Sequence, residues 1–199
     1  MAWLSGISAR SSRFWPKLPA RLVYVAWVAA LFAALAIAPA QAHPRNPELK
    51  LGEKIGSVSG LPLPRFVSLK ADRVNLREGP SREHRTTWVF QRAGLPVEIT
   101  AEFDVWRKIR DSEGTEGWVL HSLLSGRRTA LVAPWKKGDV FTLYAAPSKH
   151  ATPVAKLQSG VIAAIKSCDG HWCHVSGEEF EGYIRQTSLW GVYPNEKIN

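Results

Sequence analysis

The densest group of reactive side chains lies late in the chain, at Cys168-Asp169-Gly170-His171-Trp172-Cys173-His174. Four chemistries suit these residue types. Cys168, His171, Cys173 and His174 are zinc-ligand types, but neighbours on a strand face opposite ways, so the four converge poorly. Two cysteines followed by histidine come near a haem-attachment spacing, yet no haem-binding helix surrounds them and Met1 is the only methionine. Cys173 and His174 as nucleophile and base diverge for the same strand reason, and no orienting group or oxyanion pocket can be located. The fourth chemistry is a disulfide. Asp169-Gly170 favours the positive φ of a tight hairpin turn, which would set Cys168 and Cys173 opposite each other within bridging reach. The expectation is a Cys168–Cys173 disulfide, with no metal ligands and no cofactor.

Carboxylates come next. Glu178, Glu179 and Glu181 cluster in an expected loop, and paired carboxylates can hydrolyse glycosides. A barrel of roughly 60 residues offers no deep cleft to raise one pKa, so a solvated turn is expected and no catalytic residue. The remaining chemistry is aromatic. Trp106, Trp118, Trp172 and Tyr183 sit at strand positions that suit a small core more than a groove. Trp135, Tyr144, Trp190 and Tyr193 lie at edges and segment ends, where rings bind peptide or stack on sugar. With Arg77 or Glu78 to hold a charged group, these six are the candidate ligand-binding residues.

The elements that must position them follow a repeat. Val74-Asn75-Leu76-Arg77-Glu78-Gly79-Pro80-Ser81 reads as a short alternating strand broken by turn residues. Sixty-seven residues later Phe141-Thr142-Leu143-Tyr144-Ala145-Ala146-Pro147-Ser148 returns the pattern. Thr86–Phe90, Val97–Ala101, Val105–Ile109 and Gly117–Leu120 read as strands, and His121–Leu124 as one helical turn. Pro153–Leu157, Gly160–Ile165, His171–Val175 and Gly182–Ile184 answer them, placing Trp172 against Trp106. Many short strands without an amphipathic helix predict an all-β chain of two small tandem barrels, over 65–132 and 133–194, with a tail at 195–199.

The first stretch has a different character. Arg10, Arg13, Lys17 and Arg21 precede an apolar run from Leu22 to Ile37, closed by Ala40-Gln41-Ala42. This is the anatomy of a signal peptide over 1–42, cleaved between Ala42 and His43. The alternative is an uncleaved anchor in the inner membrane. Cleavage would lower the formal charge from +9 to +5 and leave no stable membrane span. It would place the chain in the periplasm or outside the cell, where paired cysteines oxidise. The mild positive balance suits anionic wall polymer or lipid headgroups. Nucleic acid is not expected as a partner, since no basic helix or stacking motif is present. Residues 43–64, rich in Pro, Gly and charge, read as a flexible leader.

The motifs V-N-L-R-E-G-P-S (74–81), G-L-P-V-E-I (94–99), W-R-K-I (106–109) and G-W-V-L-H-S-L-L (117–124) resemble those of bacterial SH3-like (SH3b) domains. F-T-L-Y-A-A-P-S, G-V-I-A-A-I, W-C-H-V and G-Y-I are weaker forms in the second copy, which lacks the Asn-x-Arg of the first. The pair resembles exported tandem SH3-like proteins of Gram-negative bacteria across nearly all of the segment after residue 64. The resemblance implies five- to six-stranded barrels without catalysis that bind cell-wall peptide or a periplasmic protein. A scaffolding part in an envelope assembly, or a minimal wall hydrolase, are the other readings carried forward.

Overall fold

Alternating apolar side chains and frequent turn breakers give strands and two single 3-10 turns, with no α-helix among the described residues, 54–199, of a computed structural model. The expected signal peptide, the Ala42–His43 cleavage point and the leader up to residue 53 lie outside those residues. Among the described residues no helix is long and apolar enough to cross a membrane.

The first half opens with a two-stranded hairpin, β1 (Lys54–Ile55) and β2 (Pro62–Leu63). Then follow β3 (Arg65–Leu69), β4 (Val74–Arg77), β5 (Thr86–Phe90), β6 (Pro96–Phe103), β7 (Trp106–Arg110), β8 (Glu116–Leu120), the turn His121–Leu123 and β9 (Leu124–Ser125). They form a seven-stranded sheet in the order β5-β4-β8-β7-β6-β3-β9. The second half holds β10 (Thr129–Val132), β11 (Val140–Tyr144), β12 (Pro153–Gln158), β13 (Ile162–Asp169), β14 (Trp172–Ser176), β15 (Glu181–Arg185), the turn Gln186–Ser188, β16 (Leu189–Trp190) and β17 (Lys197–Ile198). Its order is β12-β11-β15-β14-β13-β10-β16, the same arrangement strand for strand, with β17 added on β13.

The repeat extends to irregularities. Registers slip between Leu76 and Arg77 and between Leu143 and Tyr144, and again between Ile99 and Ala101 and between Ile165 and Ser167. A bulge bends a strand and adds twist, which a small closed sheet needs at its corners. Matched glycines serve the closure too. A Cβ on Gly117 would stand 2.6 Å from Leu76 Cγ and 2.8 Å from Arg77 O, and one on Gly182 2.8 Å from Val154 Cγ2 and 3.0 Å from Tyr144 O. The G-W-V and G-Y-I motifs therefore mark the point where β8 and β15 cross closely over β4 and β11.

Each half has its own aliphatic core. Val74, Leu76, Val97, Ile109 and Val119 centre the first; Val132, Leu143, Ala163, Val175 and Ile184 centre the second. The expectation for the four rings is met in part: Trp106 and Trp172 are buried, Trp118 and Tyr183 half-buried, and none belongs to either aliphatic cluster. Ile109 and Val119 point inward, so by strand alternation Trp106 and Trp118 stand on the outer face, as do Trp172 and Tyr183 in the second half. Barrels this small fill with branched aliphatics, and the large rings cover the sheet from outside.

Two segments depart from the expected boundaries. Thr129–Val132, read as the end of the first unit, pairs with β13 and β16 and opens the second sheet. The break between the sheets falls between Ser125 and Thr129, and Ala133-Pro134 belongs to the loop after β10. Residues 54–64, read as flexible leader, form the β1–β2 hairpin, with Leu63 buried in the first core. Glu102 holds this hairpin. Its carboxylate accepts from Val58 N (3.1 Å), Ser59 N (2.9 Å), Ser59 Oγ (2.6 Å) and Arg65 Nη2 (2.7 Å), with Arg107 Nε at 3.5 Å. Burial opposes its ionisation, but these donors outweigh that and bring its pKa down to about 2.

The halves meet along a seam within one compact unit. Thr129 Oγ1 donates to Gly94 O at 2.7 Å and Arg92 Nη1 to Gly160 O at 3.1 Å. Phe66 packs edge-on to Trp190 at 5.3 Å and against Tyr193 at 4.7 Å. Tyr193 Oη donates at 2.8 Å to Glu98, a buried carboxylate also held by Arg110. Burial first, then the hydrogen bond to Glu98 and its charge, hold the Tyr193 phenol well above its ordinary pKa.

Candidate functional site

The outer face of β4, β7 and β8 carries the cleft with the most recognisable chemistry. Val74 and Leu76 turn inward, so Asn75 and Arg77 face out. Arg73 precedes them, Arg82 comes from the following loop, and Leu120 and Leu123 close the far side. Trp106, 6% exposed, lines the cleft between them. The space holds about 360 Å³. Three arginines and an indole lining one cleft suit a ligand with a carboxylate and a modest apolar part.

Arg77 also shapes the cleft wall. Its Nη1 donates to Arg82 O at 3.0 Å and His84 O at 2.7 Å, closing the loop from Glu78 to Arg85. Glu78 faces Arg85 across the mouth of that loop, 2.5 Å from Arg85 Nη2, with both side chains exposed. Thus Arg77 lines the cleft, and Glu78 serves the loop beside it.

The matching face of the second barrel is built from different side chains. Tyr144 stands where Arg77 stands in the first, and Arg185 where Leu120 does. Tyr144 meets Trp172 edge-on at 5.8 Å, and the Arg185 guanidinium lies 4.9 Å from the centre of the Trp172 ring. His174 stacks on Tyr183 at 4.6 Å and pairs with Glu181 at 3.1 Å. Rings and cation satisfy one another, and this face lacks the arginine trio.

The six candidate residues are therefore dispersed. Arg77 is in the first-barrel cleft, Glu78 in its loop, and Tyr144 on the second barrel's filled face. Trp190 and Tyr193 pack on Phe66 at the seam, and Trp135 is 55% exposed in the loop between β10 and β11. Sequence reasoning missed Arg73, Asn75, Arg82, Leu120 and Leu123. A signal for the first two was present, because period-two spacing puts 73, 75 and 77 on one face.

Cys168 and Cys173 are joined, with Cα atoms 4.1 Å apart and paired in register. Gly170 takes φ 103° at the turn, and Asp169 accepts from the backbones of Trp172 and His171, which hold its carboxyl below its ordinary value. With both sulfurs bonded to each other, neither is a thiolate for zinc, haem or attack on substrate. Glu178, Glu179 and Glu181 are all exposed around the β14–β15 turn.

A bacterial SH3 domain model matches residues 70–126 and again 137–191, together more than half of the chain. Comparison with curated proteins found no match. Two solved structures from Trichomonas vaginalis are similar at 16% identity and a TM-score of 0.29. The likeness to NlpC2 covers 64% of this chain and 48% of that one, and the likeness to NlpC1 covers 71% and 50%. The chain thus spans about half the length of either. With strand order, bulges, crossing glycine and family match each occurring twice, the chain belongs to the bacterial SH3 domain family and carries that domain in tandem.

Proposed function

We propose that the protein is an exported, non-enzymatic binding module whose first barrel takes a carboxylate-bearing cell-wall peptide into the Arg73–Arg77–Arg82 cleft. The observation that carries this reading is the set of three arginines that lines an open groove together with Trp106. Arginine forks match carboxylates bidentately, and the indole gives an apolar surface to the adjoining side chain. Bacterial SH3 domains are typically wall-binding modules, which supports the same ligand class. The sequence anatomy of residues 1–42 supports export, and so does the disulfide, a bond favoured outside the cytosol. The second barrel, its equivalent face filled, braces the first through the seam. That seam also supports a second reading, a stiff spacer in an envelope assembly.

The test is retention of the chain after residue 42 on purified wall sacculi, with soluble fragments measured in parallel. Retention without release, weakened roughly five- to tenfold by Arg73→Ala with Arg82→Ala, fits the proposal. Released muropeptides would instead mean a hydrolase. A stable envelope-protein complex without retention would mean the spacer.

A further inference from the structure

We infer that β5, the open edge of the first barrel, is a docking strand that pairs antiparallel with β5 of a second copy of this chain. Among the described residues β5 ends its sheet and pairs with β4 alone. An edge strand leaves a row of backbone N–H and C=O groups unpaired, and another extended backbone is what satisfies such a row in regular geometry. The class of occupant is therefore a strand.

The second barrel supplies the control. Its edge strand at the same place in the sheet is β12. Leu76 and Leu143 are matched core residues at matched bulges, and their register partners are Trp88 and Ala155. Counted from that pair, Pro153 stands where Thr86 does, and Lys156 where Val89 does. Proline withholds a donor and lysine sets a charge on the edge, which are the usual means of keeping strands apart. β5 has neither. From Thr86 to Phe90 it is β-branched or aromatic throughout, and Trp88 at its centre is 57% exposed. The same duplicated edge is blunted in one barrel and open in the other.

The sequence of the strand selects a second copy over a foreign one. A two-fold axis at Trp88 sets Trp88 opposite Trp88, Thr87 opposite Val89 and Thr86 opposite Phe90. Aromatic and β-branched partners are favourable cross-strand combinations, and no like charges meet within the five pairs. Beyond them Arg85 falls opposite Gln91 and His84 opposite Arg92, so no two arginines meet, and Arg85 is already paired with Glu78. Trp88 and Phe90 are register partners of Leu76 and Val74, both core residues. Pairing thus covers the exposed indole and carries the apolar face of each core toward the other.

The pairing also places two clefts on one side of a continuous sheet, because β4 next to β5 carries Asn75 and Arg77 on its outer face. Three strand spacings, roughly 14 Å, separate the two β4 strands. Two clefts on one wall polymer gain by avidity. That consequence rests on the wall-peptide reading, whereas the pairing itself does not.

Sedimentation of the chain after residue 42 over a concentration series is the test. A reversible monomer–dimer equilibrium is expected, since five paired residues are few beside the roughly 20–30 a side of a stable interface. Trp88→Lys sets like charges directly opposite and should move the midpoint roughly tenfold or more to higher concentration. Val154→Lys, on the β12 edge, should leave it in place. Circular dichroism and stem-peptide binding should be kept in both variants, so the pairing and the cleft can fail separately. Trp88→Cys should crosslink to its mate on oxidation, because the register brings the two positions within disulfide reach. Four results would overturn the inference: a monomer at every concentration, a dimer indifferent to Trp88→Lys, a dimer weakened by Val154→Lys, or no crosslink from Trp88→Cys.

Discussion

Glu102→Gln is the sharpest perturbation of the fold. The carboxylate has no exposed side-chain surface, and it is the common acceptor for the hairpin amides, Ser59 Oγ and two guanidiniums. A carboxyl brought from 4.5 to about 2 contributes about 3 kcal/mol at neutral pH, at roughly 1.4 kcal/mol per tenfold. The folded value lies below the unfolded one. The contribution is therefore complete above about pH 4.5 and disappears as pH falls through the interval toward 2. Glutamine keeps the shape but removes the charge, and it presents amide hydrogens to groups that are themselves donors. Arg107, 7% exposed, is then left without its counter-charge. Urea unfolding of both proteins across this pH range is the assay, with amide exchange at Val58 and Ser59 as the local readout. The expected gap is about 3 kcal/mol at neutral pH, closing as the pH approaches 2. A gap below about 0.5 kcal/mol at neutral pH, or one that stays constant down to acid, would refute the assignment.

Gly117→Ala and Gly182→Ala should each destabilise by about 1–3 kcal/mol, because the new methyl meets packed atoms of the neighbouring strand, and thermal melts would read this. Reduction of Cys168–Cys173 should raise the intact mass by two protons and cost about 2 kcal/mol, the loop-entropy value for so small a ring. Tyr193→Phe should cost about 1–3 kcal/mol by leaving a Glu98 oxygen without its donor. Since the native phenol titrates above its unfolded value near 10, wild-type stability should decline as pH rises beyond that point. In the Phe variant that part of the alkaline decline should be missing in urea titrations.

The duplication was readable because the octet repeat and the G-W-V and G-Y-I motifs are demanded by the backbone itself, at bulges and a close strand crossing. The Cys168–Cys173 bridge was readable because Asp169-Gly170 encodes its hairpin locally. The burial of Trp106 and Trp172 was readable but their face was not, since a ring at a strand position gives its period and not which face is inward; Ile109 and Val119 decide that. The β1–β2 hairpin was hidden by its composition. It is held by Glu102, more than forty residues away, and no local pattern announces so distant a contact. The cleft was half legible for a related reason. Arg73, Asn75 and Arg77 share a strand face, whereas Arg82, Leu120 and Leu123 reach it only through loop closure and the 3-10 turn.

Nuclear magnetic resonance titration of the chain after residue 42 with isolated wall stem peptide tests the central claim most directly. One ligand per chain should bind, moving the amide signals of Asn75, Trp106 and Leu120 together, and Arg73→Ala with Arg82→Ala should shift the midpoint of that titration roughly five- to tenfold to higher peptide concentration. Shifts confined to Tyr144, Trp172 and Arg185, or none at any peptide concentration, would contradict it.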